Sequence, residues 1–218
     1  MKYSPSTEKN PLPYSPFKSC TVPRPIGWLS SISTDGAENL APYSQWQNLT
    51  FDPPMVMFSA NQYPDGRRKD TVRNAEQTGW FVWNMATWDL RDAVNISAME
   101  LAEHESEFDR AGVTRSEADL APGPMVAESP CHFECRYLST QRLPGESNVG
   151  TVDVVFARVE RIHVDDSVIG DDGKLDIRTI QPIARMGYFD YTVITETFEM
   201  RVPGSSAEAQ YGLQGQSA

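Results

Sequence analysis

The sequence contains no run of about 18 apolar residues, so it offers no helix able to cross a bilayer. Its first stretch, "MKYSPSTEKNPLPYSPF", lacks the apolar centre of a secretory signal. Positive charge is scarce: 19 Lys and Arg stand against 30 Asp and Glu, a formal net charge of -11. A surface of that sign repels phosphate backbones and anionic lipid, which excludes sequence-blind nucleic-acid binding and attachment to anionic membranes. Cysteine is sparse as well. Cys20, Cys131 and Cys135 are an odd number, suited to reduced thiols and not to a disulfide framework, and a cytoplasmic protein is expected. Two nucleotide signatures are missing, since no Gly-x-Gly-x-x-Gly follows a strand pattern and no Gly-rich loop ends in Gly-Lys-Ser/Thr. The three histidines have no Ser or Cys partner in sequence that would support acyl transfer. "HESE" from His104 has Phe108 where a zinc protease needs its second histidine.

What is there reads as strand. From Ile26 to Ser33 apolar and small residues alternate, Asp35-Gly36 supplies a turn tolerant of positive φ, and a second short strand follows. Pro53 to Ala60 reads as another strand between prolines and the polar "NQYPDG". Val72, Ala75 and Glu76 then fall at helical spacing from a capping Asp70 to a terminating Gly79, and "WFVWNM" returns to strand. Residues 88–111 are helical in pieces, with Leu90, Val94, Met99 and Leu101 on one face. Three further strands are expected over residues 131–143, 150–164 and 191–202. The pattern lacks βαβ alternation, and the expected class is mainly β, an antiparallel barrel with short helices. Pro5, Pro11, Pro13 and Pro16 make residues 1–21 an extended arm, and the Gly-rich, polar 203–218 reads as a disordered tail around a single domain over residues 22–202.

Three cations in a row, Arg67, Arg68 and Lys69, are conspicuous in so acidic a chain. A helix beginning near Asp70 aims its first N–H groups at that spot, and with Thr71 the arrangement suits a phosphate. The same residues equally suit a solvated basic loop with Asp70 as an ordinary cap, and both readings stand at this point. On a strand, Cys131 and Cys135 share one face and His132 takes the other, with no fourth ligand, so core packing and no metal is expected. Tryptophans default to core or interface, although Trp28 and Trp46 also border polar segments suited to lining a ring-binding pocket.

The order "PRPIGWLSSISTDGAENLAPYSQWQNLTFDPPMVMFS", "RRKDTVRNAEQTGWFVWNM", "EFDRAGVT" and "MVAESPCHFECR" resembles the flavin-reductase-like family of FMN-binding split barrels, which includes flavoredoxins and monooxygenase reductase components. The resemblance implies a six-stranded antiparallel Greek-key split barrel, a homodimer, and one FMN, rather than FAD, per subunit near the dimer interface. It implies NAD(P)H as electron donor and an oxygenase or other electron acceptor as partner. Arg68, Lys69 and Thr71 match the segment at the flavin phosphate, which Ser59 faces from a strand end. Trp28, Ser30 and Ser31, with Ala41, Ser44, Gln47 and Asn48, match segments beside the ring and ribityl chain. Gln47 departs from the family pattern and offers an amide to a flavin carbonyl. Arg185, in "PIARMGYFDYTVI", matches a late segment that contacts flavin or nicotinamide. No catalytic side chain is implied, because the flavin carries the hydride chemistry.

Overall fold

A computed structural model describes residues 1–101, 105–200 and 202–204. His104 and nearly all of the expected tail lie outside the described residues. The strands are β1 Arg24–Pro25, β2 Gly27–Ile32, β3 Glu38–Tyr43, β4 Trp46–Phe51, β5 Pro54–Asn61, β6 Trp80–Asn84, β7 Arg115–Ser116, β8 Met125–Val126, β9 Cys131–Leu143, β10 Val152–Val164, β11 Ile183–Gly187 and β12 Asp190–Val193. The α-helices are α1 Asp70–Thr78, α2 Arg91–Ile96, α3 Glu107–Ala111 and α4 Ile177–Ile180.

One large antiparallel sheet runs in the order β3-β2-β6-β9-β10-β5-β4, and a smaller one in the order β1-β11-β12. This is the expected mainly-β split barrel, with seven strands in its main sheet because β4 adds itself to β5 at the edge. β5 leaves one side of the sheet through α1, and the chain re-enters as β6 between β2 and β9. β3 and β4 are consecutive in the chain yet occupy the two edges, so the sheet must curl upon itself. Contacts of β3 with β5 mark where its edges approach.

Local chemistry explains the elements. Gly36, at φ +92°, turns the β2–β3 hairpin, with Ser33 N–H donating to Ala37 O at 2.9 Å. In α1, Thr71, Val72, Asn74 and Ala75 are buried, one stripe at helical spacing against β2, β3 and β6. Gly79 ends it in the left-handed conformation, its N–H on Ala75 O at 3.0 Å. Leu29, Phe58, Val72, Phe81, Cys135 and Val155 fill the barrel core, and a second cluster of Trp28, Leu40, Val94, Phe108 and Val126 lies under α2 and α3. Cys131 and Cys135 are both buried in the first cluster.

The helical pieces expected over residues 88–111 are α2 and α3, but Met99 and Leu101, expected on their apolar face, lie outside both among the irregular residues 97–101, 105 and 106. The strand expected over 191–202 stops at Val193, where the pairing with β11 runs out at Ile183. Alternation persists beyond it in Phe198 and Met200, but both are exposed, since no strand among the described residues pairs with them to bury one face. No helix among the described residues is long and apolar enough to cross a membrane.

Candidate functional site

A cleft of about 310 Å³ opens between β3, the start of α1 and the segment after α2, walled by Asn39, Ala41, Tyr43, Tyr63, Lys69 and Glu107 among others. Behind the lining residues Asn39 and Tyr43 lies a buried hydrogen-bond network. Thr71 Oγ1 accepts from Asn39 Nδ2 at 2.8 Å and from Tyr43 O–H at 3.0 Å. Ser31 Oγ accepts from Asn74 Nδ2 at 3.1 Å and, at 3.4 Å, from Asn39 Nδ2. Thr71 and Ser31 are both buried, so these bonds fix Asn39 and Tyr43 against α1 with little competition from water.

The open end of α1 enters this cleft. Lys69 precedes the helix and contributes no side-chain cap, and the first intrahelical bonds are those that Val72 and Arg73 donate to Lys69 O. The N–H groups of Asp70 and Thr71 come before them and carry the positive end of the helix dipole. The three cations have three different fates. Arg67 is held by Asp65 at 2.6 Å and Glu100 at 3.0 Å. Arg68 turns away, bonding Glu76 through both terminal nitrogens at 2.6 and 2.7 Å and Asp153 at 2.9 Å. Asp153 is buried and also accepts from Arg142 at 2.9 Å, so Arg68 belongs to a clamp joining α1 to the β9–β10 hairpin. Lys69 has no ion-pair partner among the described residues, and its ammonium lies 3.3 Å from the Tyr63 ring centroid. Burial pushes that ammonium below its ordinary pKa, with Glu100 and Asp70 pulling the other way. Burial likewise raises the Glu107 carboxyl. Asp70 pairs with Arg73 at 3.2 Å and takes no part in capping.

Of the residues singled out in the sequence, the structure puts Ala41 and Lys69 on the cleft wall, with Thr71 and Ser31 buried behind it and bonded to the lining residues Asn39 and Tyr43. Ser30 lies deeper, its hydroxyl donating to Pro124 O at 2.6 Å. Trp28 is a core residue, fully buried, whose Nε1 donates to Ser97 Oγ at 2.9 Å, and Ser97 in turn lines the cleft. Trp46 is also core, stacked on Trp83 with ring centroids 5.8 Å apart and planes 2° from parallel. Ser44 occupies the β3–β4 turn, while Gln47 and Asn48 are exposed on β4, where Gln47 Nε2 donates to Asn48 Oδ1 at 2.7 Å. Ser59 sits on β5, tied by its N–H to Gln45 O at 2.9 Å. Arg185 lies in the small sheet and is not among the cleft's lining residues. The reading missed Asn39, Tyr43, Tyr63 and Glu107. Asn39 and Tyr43 lie at the i and i+4 positions of β3, which a two-residue period puts on one face and which could have pointed to them.

The sequence and the fold have counterparts elsewhere. The model of the family described as "Flavin reductase like domain" matches residues 19–182. An uncharacterized protein of Halalkalibacterium halodurans is 31% identical over 203 residues, covering 93% of this chain and 97% of its own. The structure superposes on nitrilotriacetate monooxygenase component B from Bacillus cereus with a TM-score of 0.83 at 28% identity, over 92% of this chain and 98% of that one. Flavoredoxin of Desulfovibrio vulgaris shares the fold, with a TM-score of 0.71 at 18% identity over 94% of this chain and 99% of its own.

Proposed function

Because the chain belongs to the flavin reductase-like family, we propose that it is an NAD(P)H-dependent flavin reductase that binds FMN with its phosphate in the cleft at the start of α1. The observation that carries this is Lys69: a half-buried ammonium with no ion-pair partner among the described residues, although Glu100 and Asp70 act on it from a distance, beside two first-turn N–H groups, in a protein with an excess of acid. That donor set fits a phosphate, which offers charged acceptor oxygens to each of them. The chemistry that FMN would supply in this cleft is that of a hydride acceptor from a nicotinamide.

The chain's own residues bind and orient. Lys69 and the Asp70 and Thr71 N–H groups hold the phosphate, and Arg67 joins them by exchanging Glu100 for it. Thr71, Asn39 and Tyr43 keep the cleft wall at a fixed distance from α1. Backbone N–H groups between Ala41 and Asn48, with the Gln47 amide, donate to the flavin ring edge where negative charge builds on reduction. A second copy of the chain covers the β4 edge, where Leu49 is 48% and Phe51 62% exposed, and completes the site as a homodimer. An oxygenase or another electron acceptor takes the electrons onward, a reading supported by the likeness to component B of nitrilotriacetate monooxygenase.

The test is an anaerobic visible-absorption titration. FMN added to the purified protein is expected to bind and then to bleach on addition of NADH or NADPH. FMN that binds and stays oxidised with both would sink the reductase reading, and no binding would sink the cleft assignment.

A further inference from the structure

The loop that carries Tyr63, Arg67 and Lys69 to the cleft is fastened from behind. Its turn is closed by Tyr63 N–H on Arg67 O and Gly66 N–H on Tyr63 O, each at 2.9 Å. Further bonds tie it to the tip of the β9–β10 hairpin: Asn61 Nδ2 donates to Val149 O at 2.6 Å, Gln62 N–H to Thr151 O at 3.1 Å, and Asn148 Nδ2 to Pro64 O at 3.0 Å. Asn148 also packs on Gly66, where a Cβ would come within 3.4 Å of its amide nitrogen. Residues 144–150 of the tip are all exposed, but their backbone is cross-bonded. Ser147 O accepts from the N–H groups of Gly150 and Thr151 at 3.1 and 2.9 Å, and Thr151 Oγ1 accepts from Gly145 N–H at 3.0 Å.

Arg68 supplies a second fastening. Lys69 has extended backbone, φ -63° and ψ 142°, in which consecutive side chains diverge. With Lys69 on the cleft wall, Arg68 turns the other way, where its guanidinium is held at both ends, by Glu76 on α1 and by Asp153 on β10. Asp153 is 1% exposed and is the register partner of Arg142 across the hairpin, so the contact is largely desolvated and demanding in geometry. Arg68, Asn148 and Asp153 are not among the cleft's lining residues. Arg68 is nevertheless the chain neighbour of Arg67 and Lys69, which do line it, and Pro64 is the neighbour of Tyr63. A lysine serves a phosphate best when already in place, because a side chain ordered only on binding loses affinity to that entropy.

We infer that Arg68, Asp153 and Asn148 are positioning residues for the flavin phosphate, acting through Lys69 and Tyr63 by holding the 62–69 loop against the β9–β10 hairpin. The inference rests on the flavin reductase reading and deepens it. Arg68 thereby leaves the set of phosphate ligands in which the resemblance placed it, and the exposed hairpin tip becomes part of the cofactor site at one remove.

FMN and riboflavin share ring and ribityl chain and differ in the phosphate, so comparing them separates this role from general damage. Each is titrated into wild type and variants by flavin fluorescence quenching. Arg68→Gln is expected to raise the FMN Kd roughly tenfold, and Asn148→Ala, which changes no charge, a few-fold, while the riboflavin Kd moves less than about twofold in either. Asp153→Asn gives a deciding sign: removing an acid would by charge alone tighten FMN, whereas loss of the clamp weakens it. The double variant of Arg68→Gln and Asp153→Asn should bind FMN no more weakly than Arg68→Gln alone, because both act through one contact. Should Asp153→Asn fail to fold, Arg68→Lys takes its place: lysine keeps the charge but cannot reproduce the fork, and should still weaken FMN a few-fold.

FMN affinity unchanged in Arg68→Gln and Asn148→Ala, or tightened in Asp153→Asn, overturns the inference. Equal loss of riboflavin also overturns it, by reducing the clamp to a part of the fold. Additive losses in the double variant would return Arg68 to direct contact with the phosphate. A wild type that takes no FMN, or holds it no better than riboflavin, would instead defeat the Lys69 phosphate reading. Amide hydrogen exchange on flavin-free protein would then decide the positioning, with residues 62–71 expected to exchange roughly tenfold faster in Arg68→Gln and Asn148→Ala, and unchanged exchange sinking it.

Discussion

Lys69 and Arg67 sit two residues apart, and the difference in their surroundings decides what each can do. Lys69 has given up water for a half-buried position over Tyr63 without gaining an ion pair among the described residues, whereas Arg67 is already neutralised by Asp65 and Glu100. Lys69→Ala should therefore weaken FMN binding roughly tenfold or more, the scale of one charge-assisted hydrogen bond, while leaving the rate of flavin reduction at saturating FMN nearly unchanged. An equal fall in that rate would place Lys69 in the chemistry. Glu100→Gln should act in the opposite direction. Releasing Arg67 from an exposed pair worth about 0.2–1 kcal/mol should tighten FMN by a few-fold at most, read from the same fluorescence titration. Both effects should shrink as salt is added.

At the scale of elements, β2 and β4 meet at a point with no spare room. A Cβ built on Gly27 would lie 2.9 Å from Trp46 Cε3, and Trp46 is held from behind by its stack on Trp83. Gly27→Ala should cost about 1–3 kcal/mol in denaturant unfolding, as overpacking does in a filled core. A neutral result would mean that β4 can lift from the barrel. The element scale is also where the sequence was most and least legible. The Asp35-Gly36 hairpin, α1 and the long β9 and β10 announce themselves through turn chemistry or sustained periodicity. β4 does not, because Gln47 to Phe51 are all exposed and show no buried-face alternation. The cation run was visible, but its partition was not: Arg68 is claimed by Asp153, 85 positions away, and no local pattern carries that pairing.

For the whole molecule, acidity sets the limit of stability through a few interior carboxylates. Glu134 is fully buried. Desolvation works against its charge, but N–H groups of Ala121, Leu120 and Asp119 and the His163 ring outweigh it and hold the carboxyl below its ordinary value. Asp153 is held down in the same way, desolvation being outweighed by Arg142 and Arg68. A carboxyl with a depressed folded pKa favours the native state above its unfolded value, and that contribution is lost as pH falls through the folded one. Thermal stability should therefore stay level from neutral pH down to about pH 5 and decline below about pH 4, where unfolded carboxyls begin to take up protons. Glu134→Gln should lower stability by about 1–3 kcal/mol at neutral pH, because one amide oxygen cannot serve three N–H donors, and should flatten the acid decline. Calorimetric melts across pH would read both, and an unchanged acid limb in the variant would remove Glu134 from this account.

The link between β3 and β4 has a mechanical meaning. The two edges of the seven-stranded sheet are joined by Ser44 and Gln45 alone, and Gln45 is fastened to β5 through Ser59. Such a short covalent strap fixes the circumference of the barrel much as a buckle fixes a belt. The wall that carries Ala41 and Tyr43 cannot swing outward unless β4 peels away with it. Lengthening that strap by a few glycines would let the seam gape, turning a rigid cup into a hinged one while leaving every cleft side chain in place.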